Sequence, residues 1–77
     1  MAVTLQDIVQ TSPNILSGTP VFRGTRVPIQ TLLDHLEAGD SLSVFLEDFP
    51  SVTHRQAVDF LELAGKAALD QLNARAA

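Results

Sequence analysis

Apolar residues near the start of this chain alternate in steps of two; further on they recur at three- and four-residue intervals. Leu5 and Val9 share one side of a period-two pattern, which predicts a short strand over residues 5–9. Thr11-Ser12-Pro13-Asn14 is a cluster of turn formers, after which Ile15 and Leu16 are expected to plug the core from a short turn. Ile29, Leu32, Leu33 and Leu36 then fall at i, i+3, i+4 and i+7, the stripe of a helix from about Pro28 to Ala38. Gly39 stands where a helix ends in a left-handed residue. Leu42, Phe45, Leu46 and Phe49 repeat the spacing and predict a second, short helix over Leu42–Asp48, capped by Ser41 or Asp40 and ended by Pro50.

Thr53 with Gln56 three positions later is a capping box for a third helix, running from His54 toward the C-terminus. Ala57, Phe60, Leu61, Ala64 and Ala68 form its core stripe. Leu63, Leu69 and Leu72 widen that stripe beyond what a lone three-helix bundle covers. Gly65 inside this helix costs about 1 kcal/mol relative to alanine, and suits a close helix crossing or a kink.

Between the first turn cluster and the first helix lies an internal echo. Gly18-Thr19-Pro20-Val21 is repeated as Gly24-Thr25-Arg26-Val27. A glycine free to take positive φ, a threonine, and a β-branched residue in the fourth place make a turn leading into a strand. Two such units predict a small twisted hairpin, with Arg23 and Arg26 flanking the tip residues Gly24 and Thr25. The organisation expected is one mainly α domain: a strand or hairpin arm over residues 1–27, a three-helix core over 28–65, and a helical tail over 66–77. The short helix, tight turn and longer helix follow a helix-turn-helix plan.

Composition narrows the function. At 77 residues the chain has a marginal core when alone, and it has no cysteine for a disulfide or thiolate metal site. Homodimerisation or higher assembly is the remaining common remedy. Five basic residues against nine acidic give a net charge of −4, which disfavours strong unaided nucleic-acid binding and suits a basic partner. The N-terminus lacks a signal-peptide pattern and no apolar run approaches a membrane span, so a cytoplasmic location is expected.

For chemistry the chain offers little. It has no Cys, Tyr or Trp, no nucleophile elbow and no phosphate-binding glycine loop, and its two histidines have no ligand-spaced neighbours. No enzymatic activity, metal or cofactor is expected. The binding candidates are the hairpin residues Arg23, Thr25 and Arg26, and the first turn of the third helix, His54, Arg55 and Gln56. Arginine suits phosphates or carboxylates, while Arg and Gln can read guanine and adenine edges. Asp59 and Glu62, a turn further on, would repel phosphates. A second set, Leu69, Leu72 and Arg75, would make the tail an amphipathic helix that docks on a partner and delivers an arginine.

Residues 15–64 resemble a small bacterial family catalogued as domain of unknown function four-three-three. The matching residues run from Ile15 through Gly18, Pro20 and Val21 to Gly24-Thr25-Arg26-Val27, then Gly39, Phe49-Pro50-Ser51-Val52-Thr53, and Gln56-Ala57-Val58-Asp59-Phe60-Leu61. Ile29 and Val52 depart from the family's usual Val and Leu. The resemblance implies a homeodomain-like three-helix antitoxin, paired with a PIN-like ribonuclease toxin and binding its own operator DNA. An arginine inserted among the toxin's metal-binding carboxylates would inhibit it, Arg75 being the first candidate and Arg23 or Arg26 the second. Operator binding by the free protein is expected to be weak. Two other readings stay open: a stand-alone helix-turn-helix transcriptional regulator, and a homo-oligomeric adaptor that meets no nucleic acid.

Overall fold

Four helix starts, each set by a local polar or proline signal, lay out the chain. The structure is a computed structural model that describes residues 3–76, with side chains described for residues 3–74. Its elements are α1 (Leu5–Ile8), β1 (Val9–Gln10), β2 (Val21–Phe22), α2 (Ile29–Glu37), α3 (Leu42–Asp48) and α4 (His54–Ala76). Pro28 precedes α2 with its φ already at −62°. Ser41 Oγ accepts from the Val44 N–H at 3.2 Å and caps α3. Thr53 Oγ1 accepts from the Gln56 N–H at 3.0 Å, and Gln56 Oε1 accepts in return from the Thr53 N–H at 3.0 Å, the reciprocal box expected for α4. At the far end of α2, Gly39 takes φ 92°, its N–H bonds to the Leu36 carbonyl, and the Asp40 N–H reaches the His35 carbonyl. That pair of bonds is a Schellman closure.

Residues 5–9 depart from the expected strand. Leu5–Ile8 is a single helical turn, and only Val9 and Gln10 are extended. The cause is local: the Asp7 carboxylate accepts from the Thr4 N–H (2.9 Å) and from Thr4 Oγ1 (3.1 Å), a cap that competes with extension. The remaining two-residue strand pairs antiparallel with β2 in the register Val9↔Phe22 and Gln10↔Val21.

Leu16 does not plug the core. It lies half exposed, and Ile15 is only partly buried. Leu16, Ser17 and Gly18 all have positive φ (49°, 56° and 90°), a left-handed turn that aims Leu16 outward. Such backbone costs a non-glycine residue roughly 1–2 kcal/mol. The Leu16 carbonyl accepts both the N–H and the hydroxyl of Thr19 there.

The second half of the echo builds the expected tight reversal. Thr25 N–H donates to the Phe22 carbonyl at 2.9 Å, Phe22 N–H donates to the Val27 carbonyl at 3.0 Å, and Gly24 supplies φ 79°. Thr25 itself is buried; its hydroxyl donates to the Phe22 carbonyl (2.8 Å) and accepts from the Val27 N–H (3.0 Å).

The core joins Ile8, Phe22, Val27, Ile29, Leu32, Phe45, Val52 and Ala57. Residues 1–27 thus supply Ile8, Phe22 and Val27 to the same cluster as the helices. Phe22 is fully buried, 6.3 Å from the Phe45 ring and edge-on to Phe60 at 6.2 Å. Full burial of such a ring contributes about 1.5–3 kcal/mol, before the added gain of aromatic contact.

Thr25→Val keeps the shape of the buried side chain but strands the Val27 N–H. Urea unfolding should show a loss of about 1–3 kcal/mol; an unchanged midpoint would assign the turn to Gly24 alone.

Candidate functional site

The hairpin tip is fastened on three sides by polar groups. The Arg23 guanidinium donates to the Gln6 carbonyl through Nε (3.2 Å) and Nη2, and to the Val9 carbonyl through Nη2 (3.1 Å), closing the C-terminal end of α1. Gln10 Oε1 accepts from the Gly24 N–H at 3.0 Å. Gln56 Nε2 donates to the Arg23 carbonyl at 2.9 Å, so the first turn of α4 is tied to the tip. The chain thereby brings Arg23, Thr25, Arg26, His54, Arg55 and Gln56 to one end of the molecule.

Their roles then divide. Arg23 and Gln56 engage backbone carbonyls within the fold, and Thr25 is covered with its proton already donated. These three hold the surface; they do not face outward with free donors. Arg26 and His54 are exposed and, among the described residues, form no side-chain hydrogen bond or ion pair. The Arg55 side chain is 84% exposed and rests 3.3 Å from Asp59 one turn on, a surface pair whose energy is small. The outward-facing cations at this end are therefore Arg26 and Arg55, with His54 beside them. No spacing rule in the sequence distinguishes Arg23 from Arg26; the difference is set by the α1 turn, whose carbonyls Arg23 meets.

Asp7 belongs to the same joint. The hydrogen bonds from Thr4 backbone and hydroxyl, helped by the nearby charge of Arg23, hold its carboxyl below the usual carboxylate range, against a smaller opposing effect of desolvation.

On the opposite flank of α2, His35 packs edge-on against Phe45 and Phe49, each at 5.6 Å. Its Nδ1 lies 3.1 Å from Asp40 Oδ2, yet the alignment falls outside hydrogen-bond geometry and this buried nitrogen has no hydrogen-bond partner. Among the described residues no three His, Asp or Glu side chains converge as a metal-binding group, and no helix is long and apolar enough to cross a membrane.

Two apolar surfaces remain. An open groove of about 360 Å³ is lined by Leu5, Val9, Pro20, Ile29, Leu33 and Phe60, with Thr19 and Gln30 at its polar margin. The second is the distal part of α4. Residues 65–74 are exposed on every side of the helix, with Leu69 at 60% and Leu72 at 61%. Ala68 is exposed too, so the stripe expected to continue into the core leaves it at Ala64. Arg75 lies in the helical backbone of α4, but its side chain falls outside the described residues.

A family model described as "Protein of unknown function (DUF433)" matches residues 9–64. An uncharacterized protein, y4eO, of Sinorhizobium fredii is 49% identical over 47 residues, which are 61% of this chain and 21% of that protein. The chain thus spans about a fifth of the length of that curated relative. A crystal structure of a DUF433 member protein from Anabaena variabilis superposes with a TM-score of 0.67 at 22% identity, covering 92% of this chain and 69% of the other. At that identity the likeness is one of fold.

Asp7→Asn tests the joint through pH. A carboxyl with a lowered folded value adds stability above its ordinary range and loses it as pH falls through the lowered value. The variant should be less stable than wild type at neutral pH, and the gap should close in acid, below about pH 4. Denaturation curves at both pH values check this; a gap that is independent of pH would remove Asp7 from the joint.

Proposed function

We propose that this chain, which belongs to the DUF433 family, is the antitoxin of a toxin–antitoxin pair, working by covering a basic PIN-like ribonuclease. The observation that carries this reading is the projecting part of α4. Ten described residues of helix leave the body with Leu69 and Leu72 uncovered. A soluble helix with an unmet apolar stripe is built to be met, because isolated segments of this length are marginal in water. Docking of the stripe on the nuclease buries both leucines and carries Arg75 toward the carboxylates of the nuclease's metal site, where a guanidinium pairs in place of the cation. A net charge of −4 supports steering toward a basic partner.

Operator binding is the second half of the proposal. It draws on the end of the molecule where Arg26, His54 and Arg55 face outward beside the α3–α4 turn, read as a homeodomain-like helix-turn-helix. The tethers from Gln56 and Gln10 hold the hairpin tip in register with the start of α4, so the cations need little ordering on binding. Such a small set of cations makes weak contacts with phosphates, and these add when copies or a basic partner sit on the same duplex. The same feature supports the alternative of a stand-alone regulator, and a homo-oligomeric adaptor is what remains if neither partner binds.

Two measurements separate these readings. Co-expression with the product of an adjacent nuclease gene should give a stable complex with suppressed RNase activity. Leu69→Asp with Leu72→Asp should release that activity while leaving the fold intact by circular dichroism. Full inhibition by the double variant would sink the tail as the docking element. For DNA, retention on the promoter should fall steeply with added salt, and Arg26→Ala should lower the slope of log affinity against log salt by about 1. Tight binding that ignores salt would contradict it.

A further inference from the structure

The apolar groove and the projecting end of α4 cannot cover one another within one chain. Phe60 of α4 forms one wall of the groove. Leu69 follows it by nine residues, about two and a half turns of helix, and so points to the opposite side. α4 is one continuous helix to Ala76, with no break that would fold its end back.

Charge divides the two surfaces. Residues 65–77 hold Lys66 and Arg75 against Asp70, a net +1, whereas residues 1–64 hold three basic residues against eight acidic, a net −5. On the distal helix Lys66, Leu69, Leu72 and Arg75 succeed one another at intervals of three, a ridge with two leucines between two cations. Asp70 stands four residues after Lys66 and about 100° round from Leu69, on the side away from Leu72. The uncompensated cation is therefore at the Arg75 end, and Glu62 lies beyond the other end. In the groove, α2 contributes Ile29, Gln30 and Leu33 to a lining that carries no charge. The same helix face continues into Asp34, which accepts from Gln30 Nε2 at 2.9 Å, and Glu37, both exposed. Arg23 reaches the carbonyl of the lining residue Val9, but it is engaged by backbone oxygens and has Asp7 nearby. The groove is thus apolar with an acidic end, and the ridge is apolar with a basic one.

We propose that the groove of one copy receives the Leu69–Leu72 ridge of a second, with the Arg75 end beside Asp34 and Glu37. The exchange is reciprocal: a two-fold axis seats each tail in its mate's groove, so a closed dimer makes the same contact twice. The unbalanced charges set the direction, since a reversed tail would carry Glu62 toward Asp34 and Glu37. They also select the tail as occupant. Two bodies of net −5 repel, and the distal helix is the net-positive part of a second copy. The pairing is a property of the free chain and goes beyond the antitoxin reading; under that reading the nuclease and the groove compete for the same two leucines.

The test uses the full chain without any partner. Sedimentation equilibrium should give a dimer. Leu33→Glu puts a carboxylate in the groove and Leu72→Glu puts one on the ridge. Each should weaken association at least tenfold, because docking would bury an unpaired charge. Leu33 lies outside the core cluster and Leu72 is exposed, so helical circular dichroism should be kept. Leu5→Glu, at a half-exposed lining residue, is a second groove variant. Mixing the Leu33→Glu and Leu72→Glu chains should restore association: the first keeps its ridge, the second keeps its groove, and one of the two contacts forms. A wild-type monomer at all concentrations would overturn the proposal. So would groove variants that dimerise like wild type, or a mixture no more associated than either variant alone. None of these outcomes bears on whether the nuclease is bound, which the co-expression experiment reads separately.

Discussion

Phe22 holds local and long-range order at one residue. Its ring is fully buried and touches both Phe45 of α3 and Phe60 of α4. Its backbone pairs with Val9 in the two-stranded ladder, and its carbonyl takes both the N–H and the hydroxyl of Thr25. A turn made of Gly24 and Thr25 is therefore needed for the ring to reach the core while the next residue, Arg23, turns away from the core onto the carbonyls of α1. Without that reversal the extended N-terminal segment has only two ladder pairs to hold it, and a two-stranded ribbon is marginal in water. The helices in turn need Phe22 because α2 and α3 are short. Phe22 supplies their shared core with a large side chain from outside the bundle.

The elements whose signals are local were legible in the sequence. α3 begins and ends where Ser41 and Pro50 dictate, α2 closes at Gly39, and Thr53 with Gln56 starts α4; each depends on residues within four positions. Period two misled at residues 5–9 because two apolar residues fit a strand and a helical turn equally, and the deciding contact was the Thr4–Asp7 cap. Leu16 misled for a different reason. Its apolar side chain argued for burial, but two non-glycine residues in left-handed backbone turn it to solvent. Within the candidate site, residue type identified six polar positions and long-range contacts sorted them. Arg23 and Gln56 are tied to backbone carbonyls only because α1 and the hairpin tip converge on them, a relation between positions 17 and 33 residues apart. No local pattern encodes that.

The molecule consequently has two mechanical regimes. Around the hairpin, side chains are interlocked, and the outward cations Arg26 and Arg55 stand on a base held by the Gln56 and Gln10 bonds. Beyond Ala64 the described residues of the helix, 65–74, are all exposed. Its stability there comes from backbone hydrogen bonds, from alanine-rich propensity and from continuity with the packed half of α4, which removes the nucleation cost but not the marginal propagation.

That contrast decides where binding energy arises. Surface cations held in place lose little entropy on meeting a phosphate, so they contribute orientation more than affinity. Leu69 and Leu72 lie at the other extreme. Each is about 60% exposed, and full burial of a leucine contributes roughly 1.5–3 kcal/mol. Against this stands the ordering of a helix end already half formed, a cost far smaller than folding a coil on contact. A surface that buried this stripe would therefore gain chiefly from the two leucines, the largest exposed apolar side chains of the distal helix.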